Sequence, residues 1–193
     1  MKSSRLLLAF GLSLVVGASS ARANEIFRFD PAHSTIAFKV RHFLGTAKGN
    51  FTKFDGTIEV DREHPEKSSV VATIQAASID TAIAKRDEHL RGADFFNVQK
   101  FPEITFKSRH VKQTGPNAGD IIGDLTMHGV TRTITLRAQL LGTAENQTSR
   151  WRIATAPIKR SEFGLVWSKS VEAISMIGED VSINIEITAV KTP

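Results

Sequence analysis

Alternation of apolar and polar side chains with a period of two residues is the main pattern of this chain. In residues 34–42 (STIAFKVRH), the apolar side chains of Ile36, Phe38 and Val40 alternate with polar ones. This pattern is typical of a strand with one buried face. The same alternation, or a run rich in β-branched residues, predicts further strands in residues 68–76, 103–111, 120–128, 133–140, 150–160 and 181–189.

One stretch, residues 81–92 (TAIAKRDEHLRG), shows no such alternation. It contains helix formers and ends at a glycine, so it predicts one short helix with a solvated, charged face. Turn residues separate the strands, for example FDG at 54–56 and HG at 128–129. Because no linker or repeat divides the chain, these strands predict a single all-β domain, an antiparallel barrel or sandwich.

The first 23 residues have the three parts of a cleavable signal peptide. MKSSR is basic, the following LLLAFGLSLVVGASS is apolar but too short for a membrane span, and Ala21 and Ala23 form the small-residue cleavage pattern. We therefore expect cleavage after Ala23, a mature domain of residues 24–193, and a soluble exported protein.

Charge and cysteine content exclude several classes of function. Without Lys2, Arg5 and Arg22 of the leader, 22 basic residues remain against 20 acidic ones, and they are scattered. This balance argues against a nucleic-acid partner. The chain has no cysteine, which excludes disulfides, thiolate metal sites, cysteine nucleophiles and a lipid-modified N-terminal cysteine.

The residues that could carry catalysis form no known motif. The chain has no Gly-x-Ser-x-Gly nucleophile elbow. The histidines lack the spacing of zinc sites; they are His33, His42, His64, His89, His110 and His128. We therefore expect no metal, no cofactor and no enzymatic activity, and a site assembled from distant strands stays open. His110 is expected on the same strand face as Phe106.

Short motifs in a fixed order cover the whole mature chain. The first group is the His33–Ser34 pair, Val40-x-His42 and the Gly-x-Phe-x-x-Phe-x-Gly of residues 49–56. The later groups are IDT at 79–81, RD at 86–87, HL at 89–90, DFF at 94–96, GDLTMHGVTRTITL at 123–136 and IGEDVSINIEI at 177–187. With these motifs the chain resembles the YceI-like family of periplasmic polyisoprenoid-binding proteins. The glycines of residues 49–56 predict a turn and bulge device rather than a binding loop.

The resemblance implies a lipocalin-like, eight-stranded antiparallel β-barrel with one short helix, located in the periplasm. It also implies an apolar cavity that binds an isoprenoid quinone, a polyprenyl chain or a similar amphiphilic lipid, for transport or sequestration. The residues expected to line this cavity are Ile36, Phe38, Val40, Ile104, Phe106, Leu125, Leu136, Ile183 and Ile185. Trp151 and Trp167 are expected at its mouth. Phe95, Phe96 and Phe101 are expected to pack the connection after the helix against the barrel.

Two alternatives to a lipid-binding protein remain from the sequence. The same apolar stripes would fill the solid core of a structural or interaction protein. A hydrolase or metal-dependent enzyme on a β-barrel would instead need convergent histidines and carboxylates. The sequence leaves the oligomeric state open, with a homodimer among the states considered.

Overall fold

The computed structural model describes residues 24–42, 45–144, 147–167 and 177–192, so the signal-peptide prediction lies outside the described residues. Strands account for most of the described residues, which also include one α-helix, α1, at Ala84–Arg91. The strands are β1 (Glu25–Phe29), β2 (Thr35–His42), β3 (Gly45–Phe51), β4 (Phe54–Val60), β5 (Ser69–Gln75), β6 (Ile79–Asp80), β7 (Glu103–Gly115), β8 (Ala118–Met127), β9 (Val130–Thr143), β10 (Thr148–Thr155), β11 (Ile158–Lys159) and β12 (Asp180–Lys191).

Eight strands form a closed ring, so the sheet is a barrel. The antiparallel order β1-β4-β5-β7-β8-β9-β10-β12 returns to β1, because β12 pairs with both β10 and β1. β2 pairs with β12 and β3, so β1–β2 and β3–β4 act as two long, bent strands. The short β6 and β11 pair outside this ring with β3 and β12. The expected eight-stranded antiparallel barrel with one short helix is confirmed.

A 3-10 turn at Pro31–His33 bends the first of these strands. Asp30 caps the turn by accepting from the backbone N–H of Ala32 at 3.0 Å. The Ser34 hydroxyl accepts from the Thr188 backbone N–H at 2.9 Å and donates to the Asp30 carbonyl at 2.6 Å. The His33–Ser34 motif therefore fastens the bend to β12. The His33 ring, 2.7 Å from the Asp30 carboxylate, holds the pKa of that carboxyl below its ordinary value.

The helix and the strands agree with the sequence pattern except at their ends. The predicted helix of residues 81–92 begins only at Ala84, and Gly92 is its C-cap. The FDG stretch at 54–56 was expected as a turn, but it forms the first residues of β4. The turn lies instead at residues 52–53, because Phe54 is buried and its backbone is paired with Ile74 of β5.

A β-bulge changes which side chains of β7 face inward. The register with β8 shifts between Ser108 and His110, so the alternation restarts one residue later. Phe106 is buried before the bulge, and Val111 lines the barrel interior after it. His110 is exposed on the outside. The expectation that His110 shares a face with Phe106 is therefore wrong.

The described residues contain no helix that is both long and apolar enough to cross a membrane. The only α-helix among them, α1, has eight residues.

Candidate functional site

A cavity of about 880 Å³ occupies the interior of the barrel. Side chains from every strand of the ring contribute to its wall. On β9 the aliphatic members alternate with exposed outward residues: Ile134 and Leu136 line the cavity, and Thr133 and Thr135 face outward. The strand periodicity thus produces an apolar inner surface around the cavity.

All nine residues that the sequence predicts for a ligand cavity line this space. Ile36, Ile104 and Phe106 are buried in the wall itself. The remaining six are only half-buried; they are Phe38, Val40, Leu125, Leu136, Ile183 and Ile185. In a solid barrel, inward-facing apolar side chains would be fully buried against one another. In a hollow barrel, part of their surface stays accessible from the cavity, as it does here. The solid-core alternative therefore fails, while contact of these residues with a ligand stays a prediction.

The helix end of the cavity is closed by aromatic packing. Phe96 meets the Phe51 ring edge-on with 6.0 Å between centroids, and Phe95 meets Phe96 in the same way at 5.2 Å. Both phenylalanines are 7% exposed, and both also line the cavity. The expectation that they only pack the connection against the barrel is therefore incomplete. Phe101 packs as expected, 4.7 Å from the His128 ring at the β8–β9 turn.

The two tryptophans occupy different parts of the wall. Trp167 stacks on Phe95 with 4.6 Å between ring centroids, so it belongs to the closed helix end rather than to a mouth. Trp151 lies on β10 opposite Leu140, and its indole N–H donates to the Ser149 hydroxyl at 2.9 Å. Both rings line the cavity. The expectation of a mouth position is wrong for Trp167. This residue lies in a connection outside the strands, and its ring packs against His89 of α1.

Inward-facing glycines in the barrel wall leave room for phenylalanine rings. Gly49 and Phe38 are cross-strand partners, and a Cβ at Gly49 would lie 2.5 Å from the Phe38 ring. A Cβ at Gly56 would lie 2.3 Å from the Phe29 ring. Such pairs let a large ring lie flat over the neighbouring backbone. The glycines of the Gly-x-Phe-x-x-Phe-x-Gly motif lie within β3 and β4 and make room for these rings, whereas the sequence predicted a turn and bulge device for them.

The opposite end of the cavity opens among polar and exposed residues. Arg62, Gln113, Pro116 and Asn117 line this end and are all exposed. They belong to the β4–β5 connection and to the β7–β8 hairpin. We call this end the mouth.

β1 begins and β12 ends at the mouth. Glu25 of β1 accepts from the Lys191 ammonium at 2.8 Å and from the Arg62 guanidinium at 2.6 Å. These contacts, the Lys191 bond first, hold the pKa of the Glu25 carboxyl below its ordinary value.

Histidines and carboxylates do not converge within residues 24–42, 45–144, 147–167 and 177–192. No group of three or more His, Asp or Glu side chains in these ranges could hold a metal ion. His42 lines the cavity, His64 lies 3.7 Å from the Glu66 carboxylate, and His89 lies against the Trp167 ring. His128 lies 3.2 Å from the Phe163 carbonyl. These histidines thus lie at separate places in the fold.

Comparison with known proteins assigns this barrel to a family. The model of the YceI-like domain matches residues 27–189, nearly the whole barrel. The chain belongs to the YceI-like family. Protein YceI of Escherichia coli is 40% identical over 172 residues, which cover 86% of this chain and 88% of that protein.

Solved structures share the same YceI-like architecture. The crystal structure of Burkholderia cenocepacia BcnA has a TM-score of 0.76 and 25% identity, and covers 84% of this chain and 99% of that chain. A polyisoprenoid binding domain from Saccharophagus degradans, implicated in plant cell wall breakdown, has a TM-score of 0.68 and 16% identity. That comparison covers 86% of this chain and 98% of the domain, and at this identity it shows the shared fold.

Proposed function

We propose that this protein binds an isoprenoid or a similar long, amphiphilic lipid in its barrel cavity and carries or sequesters it in the periplasm. The observation that supports this most strongly is the cavity of about 880 Å³ inside a closed barrel, walled by half-buried aliphatic and aromatic side chains. An eight-stranded barrel is the size that encloses one small ligand. No catalytic step is part of the proposal.

The energetics of an apolar tail favour this cavity over water. Each methylene that leaves water contributes about 0.8 kcal/mol. Ordering of a long tail and the loss of its free motion subtract from that gain. A wall that is already formed, with glycine-supported rings at Phe38 and Phe29, keeps the cost of reorganising the protein low.

The shared barrel fold supports the ligand class by a second route. The Saccharophagus degradans domain with the same fold is described as polyisoprenoid-binding. The support passes through the shared barrel, since the two sequences are only 16% identical.

Export rests on the leader of residues 1–23 with its Ala21-x-Ala23 pattern. We expect the N-terminus of the purified protein to be Asn24 and the protein to leave the cell in the osmotic-shock fraction. N-terminal sequencing that finds intact Met1 on membrane-bound protein would contradict this part of the proposal.

The ligand is tested by organic extraction of the protein purified without detergent, followed by mass spectrometry. The expected result is a long isoprenoid or related amphiphile at close to one molecule per barrel. A delipidated and refolded sample is the control, and it should regain the same compound from a total lipid extract. Native protein that yields no lipid, and a delipidated control that takes none up, would overturn the proposal.

A further inference from the structure

Arginine side chains reach the cavity at three places, and their surroundings differ. Within the described residues, the cavity wall contains Arg62, Arg86 and Arg160. A guanidinium beside an apolar cavity is costly unless its donors and its charge have partners. The partners of each arginine therefore indicate whether a ligand is needed to complete the site.

Arg62 and Arg160 are held by the protein itself. Arg62 at the mouth pairs with the Glu25 carboxylate at 2.6 Å. Arg160 donates from Nη1 to the Leu165 carbonyl at 2.8 Å and lies 3.6 Å from the Glu179 carboxylate. The side chain of Arg160 is 5% exposed, so this residue is a buried brace of its loop.

Arg86 on α1 is positioned but not neutralised by its neighbours. Its Nε donates to the Thr81 hydroxyl at 2.8 Å and its Nη2 donates to the Thr81 carbonyl at 2.9 Å. The Thr81 hydroxyl in turn donates to the buried Asp87 carboxylate, which fixes the direction of this chain of bonds. Across the described ranges, Arg86 has no ion pair with a carboxylate, and its Nη1 has no acceptor.

We propose that Arg86 is the head-group contact of the cavity. Its guanidinium donates to an oxygen of the lipid head group, a phosphate or a quinone carbonyl, and the apolar tail runs through the barrel toward the mouth. This inference rests on the proposed lipid-binding function and adds the chemistry and the orientation of the ligand. Guanidinium groups suit this role because their planar fork binds phosphate and carbonyl oxygens with fixed geometry.

The two ends of the cavity support this orientation. The helix end is walled by buried Thr81, Leu90, Phe95 and Phe96, so a polar head there needs a partner supplied by the protein. The 13-residue β7 runs from that end to the mouth, a distance of about 40 Å at the usual rise per residue. A long tail can thus lie along the apolar wall while its head stays at the helix.

The test uses three probes with the same 20-carbon isoprenoid skeleton, two with different head groups and one with none. They are geranylgeranyl phosphate, menaquinone-4 and the hydrocarbon phytane, titrated into delipidated protein. Trp151 and Trp167 line the cavity and provide the fluorescence signal. The variants are Arg86→Gln, Arg86→Lys and, as the matched control on the exposed outer face of β10, Arg152→Gln, which removes an arginine that pairs with Glu186 outside the cavity.

We expect Arg86→Gln to weaken binding of the phosphate by about tenfold to a hundredfold, the range for a charge-assisted hydrogen bond. The affinity for the quinone should fall several-fold, and the affinity for phytane should not change. Arg86→Lys should keep part of the phosphate preference, and Arg152→Gln should leave all three affinities unchanged. The probe that the wild type binds more tightly shows whether Arg86 donates to a phosphate or to a quinone carbonyl.

Two results would overturn the inference. If Arg86→Gln changes the three affinities by the same factor, or not at all, while phytane still binds, the head-group contact is wrong and the proposed function stands. If none of the probes binds the wild type, the inference and the proposed function fail together. Ratios between probes within one variant do not depend on the fraction of protein that is folded, so a partly destabilised variant still gives an answer.

Discussion

The two ends of the barrel are built from similar inward-facing apolar residues but are packed differently. At the helix end, Phe51, Phe95 and Phe96 contact one another and are at most 9% exposed. Toward the mouth, inward residues such as Leu140 and Val60 remain half-buried although they line the cavity. The difference arises because α1 and the connection after it fill one end, while no described segment fills the other.

This difference shows that strand alternation determines the direction of a side chain but not its packing. Whether an inward face becomes core or cavity wall depends on a segment far along the chain that covers it. The stability of the fold should therefore reside mainly at the helix end, and the capacity for ligand in the middle and at the mouth.

The largest effect is expected from truncating one inward apolar residue in each of the two regions. Phe96→Ala removes a buried ring at the closed end and should cost about 3 to 5 kcal/mol of unfolding free energy. Leu140→Ala, next to Asn117 at the mouth, removes half-buried surface beside an existing cavity and should cost about 1 to 2 kcal/mol. Urea unfolding of delipidated protein measures both values. Equal losses would mean that the two regions are packed alike.

A glycine substitution tests whether the barrel wall is as tight as the ring contacts indicate. In Gly49→Ala the new methyl would lie 2.5 Å from the Phe38 ring and 2.8 Å from the Asp80 carbonyl oxygen, so one of them must shift. We expect a loss of about 1 to 3 kcal/mol. Gly142→Ala, with no atom within 4 Å of the new Cβ, is the control and should change stability by less than about 0.5 kcal/mol. If Gly49→Ala leaves the unfolding free energy unchanged, the Phe38 ring or the Asp80 backbone can shift at little cost.

The smallest effect concerns the ion pairs that hold the mouth. The lowered pKa of Glu25 means that its contacts with Lys191 and Arg62 stabilise the fold above the ordinary glutamate pKa of about 4.3. That contribution is lost as the pH falls through the lower pKa of the folded state. The difference in unfolding free energy between wild type and Glu25→Gln should be below about 1 kcal/mol at pH 7 and should shrink toward pH 3. A difference that grows on acidification would contradict this sign.

Much of the barrel was predictable because strand direction is a local property. Alternation in the sequence identified inward positions on β2, β7, β8, β9 and β12, and the nine predicted cavity residues all line the cavity. The end of the helix at Gly92 was predictable for the same reason, since a cap depends on near neighbours. The closure of the barrel followed from the family resemblance.

Features that depend on distant contacts were not predictable. The bulge between Ser108 and His110 is set by pairing with β8, and it turned His110 outward. The cavity-lining role of Phe95 and Phe96 depends on where the connection after α1 meets Phe51, and the sequence between them has no period that shows it. The Arg86–Thr81–Asp87 chain lies within seven residues, yet nothing in its spacing indicates that it faces a cavity.

The central claim, a hollow barrel that holds lipid, is tested most directly by filling the cavity from its wall. Leu136→Trp adds a large inward side chain at a half-buried position, and Thr135→Trp places the same residue on the exposed outer face of β9 as the control. Lipid recovered per mole of protein and the thermal stability of delipidated samples are measured together. We expect at least a twofold loss of lipid for Leu136→Trp, with nearly unchanged stability, and no loss for Thr135→Trp. Unchanged lipid content together with a loss of about 1 to 3 kcal/mol in Leu136→Trp, the signature of an overpacked solid core, would contradict it.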